Sequence, residues 1–79
     1  MVKIKDSIGK EHECLYLIEF MNWQPKTKEM MFSVMAVGYD GIRRSVLFTY
    51  FDEQEMHKKY EELREEHTRK RKEELFFDG

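Results

Sequence analysis

Residues 52–75 contain neither glycine nor proline, and Thr68 is their one β-branched residue. Glutamate, lysine and arginine fill most of the stretch, which restricts it to one long α-helix. Its start is well marked. Asp52 is an N-cap side chain, Glu55 follows three residues on to make a capping box, and Phe51 and Met56 are spaced for a hydrophobic staple. Glu53 and Glu55 lie in the first turn, and the basic tract Arg69, Lys70, Arg71, Lys72 lies near the far end, as the helix dipole favours. Glu55–Lys59, Glu65–Arg69 and Glu66–Lys70 are i,i+4 pairs in the favourable order. The apolar stripe is short. Met56, Tyr60 and Leu63 share one face and His67 continues the phase, but residues 64–74 include no aliphatic side chain, Met, Phe, Tyr or Trp. The proximal half is therefore expected to pack on the rest of the chain. The distal half is expected to be solvated, to fray, or to meet a partner.

The chain before the helix reads as strands. Residues 13–23 and 30–39 are rich in aromatic, aliphatic and methionine side chains, and Pro25 suits the turn at 24–29 between them. Asp40-Gly41 separates the second run from a third at 42–51, a hairpin signal that pairs Tyr39 with Ile42 across a two-residue turn. Residues 2–5 suit a short fourth edge strand, with residues 6–10 as its turn. The predicted fold is α+β: a three- to four-stranded antiparallel meander over residues 1–51, then one helix over 52–76, in a single 79-residue domain.

The strands alternate without a polar face. The Tyr39–Ile42 register places Phe32, Val34 and Ala36 beside Leu47, Thr49 and Phe51 on one face. Met31, Ser33, Met35 and Val37 then share the other face with Val46, Phe48 and Tyr50. One helix covers one face. The face next to Phe51 is the expected helix side, and the Met31, Met35, Val46, Phe48, Tyr50 face is left bare unless residues 1–12 fold over it. A bare apolar face of this size marks an interface. With Trp23 and the apolar end Leu75-Phe76-Phe77 it makes a protein-binding surface, with a homodimer as the expected first occupant and an unidentified protein as the further partner.

Sites of chemistry are sparse. The lone Cys14 rules out an internal disulfide, and with His12 it makes one His-x-Cys pair, half of what a zinc site needs. A single cysteine in an apolar strand is more often a small core residue than a nucleophile. The four glycines form no phosphate-binding loop. No enzyme, cofactor or metal is expected.

Net charge is −2, and residues 1–52 hold seven acids against seven bases, so the basic excess of a strong nucleic-acid binder is missing. Arg43 and Arg44 beside the sheet aromatics, together with the tract at 69–72, still form an alternative surface for single-stranded nucleic acid. In element order, a meander closed by a C-terminal helix, the chain resembles small dimeric single-strand binders of the transcriptional-coactivator type. Residues 1–6 lack the apolar run of a signal peptide, and no segment approaches the length of a membrane span, so the expected location is cytoplasmic. The expected role is that of a small inhibitor or accessory factor, a class frequent among phage and mobile-element proteins.

Overall fold

The computed structural model describes residues 1–76, apart from the side chain of Phe76. Two antiparallel sheets precede one helix, so the α+β reading holds. Strands β1 (Lys3–Lys5) and β2 (Glu11–Glu13) form a small hairpin. Strands β3 (Tyr16–Gln24), β4 (Glu29–Val37) and β5 (Arg44–Tyr50) form the main meander in the order β3-β4-β5. Helix α1 (Glu53–Phe76) ends the described chain.

The N-terminal strand does not join the meander as a fourth member. It pairs only with β2, and the run expected at 13–23 is interrupted at Cys14 and Leu15. Asp6 organises the turn between β1 and β2. Its Oδ1 accepts the N–H groups of Ile8 (3.0 Å) and Lys10 (2.9 Å), and its Oδ2 accepts Nε2–H of His12 at 2.8 Å.

The β3–β4 turn occupies residues 25–28, with Lys28 in the left-handed region at φ 54°. The β4–β5 connection is wider than a two-residue hairpin. Gly38 N–H donates to Arg43 C=O (2.7 Å), and Gly41, at φ +75°, closes an inner turn by donating to Gly38 C=O (2.9 Å). Asp40 Oδ1 accepts the N–H groups of both Ile42 and Arg43 at 2.9 Å, so a side chain holds what a tight turn would otherwise hold.

The expected register survives next to this loop, with Val37 opposite Arg44 and Met35 opposite Val46. It then slips. A β-bulge at Leu47 shifts the pairing by one, so that Val34 faces Phe48 and Phe32 faces Tyr50. The Leu47 carbonyl accepts Ser7 N–H at 3.0 Å, which ties the small hairpin to the bulge. Phe48 and Tyr50 are thereby moved off the bare face and pack against the core under the helix, with their rings stacked at 6.5 Å. The β3–β4 register likewise places Trp23 opposite Met30, on the helix side but at the far tip of the hairpin, where Trp23 stays exposed.

The core joins Val2, Ile4 and Cys14 of the N-terminal segment to Leu17, Val34, Ala36 and Leu47 of the sheet and to Met56 and Leu63 of the helix. The 1–12 segment therefore packs on the helix side and leaves the opposite face open. The same contact corrects the expectation that the distal helix lacks support. His67 Nε2–H donates to the Cys14 carbonyl (2.8 Å), and Lys70 Nζ donates to the Lys3 carbonyl (2.7 Å), so polar anchors replace the apolar stripe where it stops.

At the helix start, Asp52 Oδ1 accepts Gln54 N–H at 3.0 Å, as an N-cap does. The staple does not form: Met56 is buried, while Phe51 is 66% exposed. Of the i,i+4 pairs, Glu66–Lys70 is made at 3.1 Å; Lys59 instead meets Glu62 and lies over the Phe48 ring. No base stands in the last turn, so the 69–72 tract lies one turn short of the helix end.

Candidate interaction surface

Residues paired across neighbouring strands point to the same side of a sheet. The registers therefore define the face away from α1: Tyr16, Ile18, Phe20, Asn22 and Gln24 from β3, Glu29, Met31, Ser33, Met35 and Val37 from β4, and Arg44, Val46 and Thr49 from β5. Its apolar members are partly or largely open, except Val37 at one end, which is buried. Tyr16 is 47%, Phe20 43% and Val46 51% exposed, and Ile18, Met31 and Met35 are half-buried. In the middle of the face the Ser33 and Thr49 hydroxyls bond each other at 3.1 Å, so a polar pair there is satisfied internally.

Of the residues that sequence pattern assigns to the surface, Met31, Met35 and Val46 lie on this face. Tyr16, Ile18 and Phe20 belong there too. Their alternation is plain in the sequence, but its phase depends on the length of the 25–28 turn. Trp23 belongs to a second exposed group with Met21 and Met30, at the hairpin tip beyond the reach of the helix. Leu75 is exposed and lines a hollow with Leu15, Tyr39, Arg71 and Glu74. The expectations for the Phe76 side chain and for Phe77 lie outside the described residues.

The basic residues are dispersed. Arg43 lines a hollow that also holds Lys3, Lys10, Glu11, Glu13 and Asp40, so acids offset it. Along the helix, Lys70 turns inward to the Lys3 carbonyl and Glu66. Arg69 and Lys72 share a surface with Glu61 and Glu65, and Arg71 stands beside Glu74. Consecutive helical residues point about 100° apart, which is why a tract of four bases makes no single basic face. Arg44 alone lies on the open sheet face, at its end.

The remaining polar groups serve the fold. Cys14 is fully buried, and burial pushes its thiol up to about 11. His12 is held by Asp6 and points to no second ligand. Among the described residues, no cluster of three or more His, Cys, Asp or Glu side chains is placed to hold a metal ion, and no helix is long and apolar enough to cross a membrane. Comparison of the chain with protein-family models, with curated proteins and with solved structures finds no match.

Proposed function

We propose that this chain is a small non-enzymatic protein-interaction module that associates through the open face of its sheet. A homodimer is the form it takes alone, and its role is that of an inhibitor or accessory factor on a further protein, of the kind phage and mobile elements encode. The observation that carries the reading is the open face itself, with Tyr16, Ile18, Phe20, Met31, Met35 and Val46 grouped on one side of a sheet whose other side is covered. A solvated antiparallel face alternates to polar residues along its length, whereas here the polar residues stand at the two ends and in the Ser33–Thr49 pair, with Tyr16, Ile18, Phe20, Met31, Met35 and Val46 among them. Methionines adapt to irregular partners and aromatics anchor interfaces, so the composition suits binding.

Sedimentation equilibrium on the wild type and on Phe20→Asp tests the reading. Phe20 points away from the core, so the variant is expected to keep its fold, as circular dichroism would show, and to lose association. Equal association by both proteins would refute the role of the face.

A second reading is binding of single-stranded nucleic acid, favoured by Tyr16 and Phe20 standing open on the face that ends in Arg44. It predicts filter binding of labelled single-stranded DNA that weakens as salt rises. The offsetting acids around Arg43 favour the protein reading.

A further inference from the structure

We infer that the open sheet face is occupied by a second copy of this chain, stacked with its strands antiparallel, so that Arg44 of each copy pairs with Glu29 of the other. The inference rests on the reading of the face as the surface of a homodimer and goes on to name its orientation and the residues that set it.

The argument is one of charge placement. Along β4 the open face runs Glu29, Met31, Ser33, Met35, Val37, and Arg44 on β5 is paired with Val37. Glu29 and Arg44 are the only charged residues that the strand registers place on this face. They have opposite sign and stand at opposite ends, eight strand positions or roughly 26 Å apart. Between them lie apolar residues, the internally satisfied Ser33–Thr49 pair and the neutral Asn22, with Gln24 beside Glu29. Lys26 and Lys28 belong to the turn beyond Glu29, and Arg43 to the loop beyond Arg44, outside the paired strands.

A face with a cation at one end and an anion at the other complements itself under one kind of twofold axis, lying between the sheets and perpendicular to the strands. That axis lays β4 on β4 in reverse, with Ser33 near the centre, and brings Phe20 of one copy over Phe20 of the other. Each Arg44 then sits one strand, about 4.8 Å, to the side of the other copy's Glu29, within the span of an arginine side chain across sheets about 10 Å apart. A twofold along the strands would instead set Glu29 against Glu29, a repulsion that selects against it.

Size sets the expected strength. Three strands of up to nine residues cover roughly 30 by 14 Å, about 400 Å² on each copy. That is below the roughly 800 Å² per partner of a stable complex, so the dimer is weak and reversible. Measurement therefore has to extend from roughly 10 μM to 1 mM.

The test exchanges the charges. Arg44→Glu alone sets glutamate against glutamate in its homodimer, and Glu29→Arg alone sets arginine against arginine, so each should dimerise about tenfold more weakly than the wild type at low salt. An equimolar mixture of the two makes a heterodimer in which both contacts are complementary, and it should associate as the wild type does. The proposed dimer is overturned if the mixture associates no better than either variant, if the single exchanges change nothing, or if the wild type stays monomeric up to 1 mM. If the wild type associates and Phe20→Asp alone abolishes association while the charge exchanges have no effect, the orientation fails and the face reading stands. If Phe20→Asp associates as the wild type does, the face reading itself fails.

Discussion

Each of the three histidines closes a contact between segments. His12 donates to Asp6 within the small hairpin, His67 to the Cys14 carbonyl, and His57 Nδ1–H to Glu19 Oε2 at 3.1 Å, which joins the helix to β3. The Glu19 carboxylate, with help from Glu61 and Glu53, raises the His57 pKa. A pKa raised on folding means that the charged form favours the native state. The His57 contribution is therefore complete below its ordinary value of 6.5 and is lost as pH rises through the raised value. Glu19→Gln should lower the His57 midpoint in an NMR titration. The stability difference between wild type and variant, present at about pH 6, should shrink by about pH 8. Asp6 behaves oppositely. The His12 hydrogen bond chiefly holds its pKa down, so its contribution is present above the ordinary carboxylate range and is lost in acid. Cys14, buried and with its thiol near 11, should react with a thiol reagent only after unfolding; rapid labelling of the native protein would contradict the burial.

At the scale of elements, the sequence carries what is local. The N-cap at Asp52, the helix it starts and the three long strands follow from neighbouring residues, and the structure has them. What it does not carry is one residue of slippage. Nothing near Leu47 announces a bulge, because its cause is distant: the Leu47 carbonyl meets Ser7, and its side chain joins the core under the helix. That slip transfers Phe48 and Tyr50 from the open face to the covered one, while Met31, Met35 and Val46, before it or on the neighbouring strand, stay where alternation puts them. The support of the distal helix is hidden in the same way, since it comes from two backbone carbonyls, Cys14 and Lys3, which leave no mark in a pattern of side chains. The helix gives a direct comparison. Leu63 is buried in the core, so Leu63→Ala should cost ~2–4 kcal/mol in urea unfolding. Leu75 is exposed, and Leu75→Ala should stay within about 0.5 kcal/mol.

At the scale of the molecule, the 24-residue helix, about 36 Å long, lies across both sheets of a body that measures 52 × 24 × 19 Å. The two sheets touch each other only lightly, and the helix holds them in one core through contacts as far apart in sequence as Lys70 and Lys3. During synthesis that element is the last of the described chain to leave the ribosome. Until it does, Leu17, Val34 and Leu47 on one side of the meander lack the cover of Met56 and Leu63, while Phe20 and Val46 stand open on the other. A nascent sheet that is apolar on both faces is prone to stick to other nascent chains. Pairing the open faces early would halve that exposure, so assembly on the ribosome, between neighbouring copies on one message, is the setting in which a weak contact would matter most.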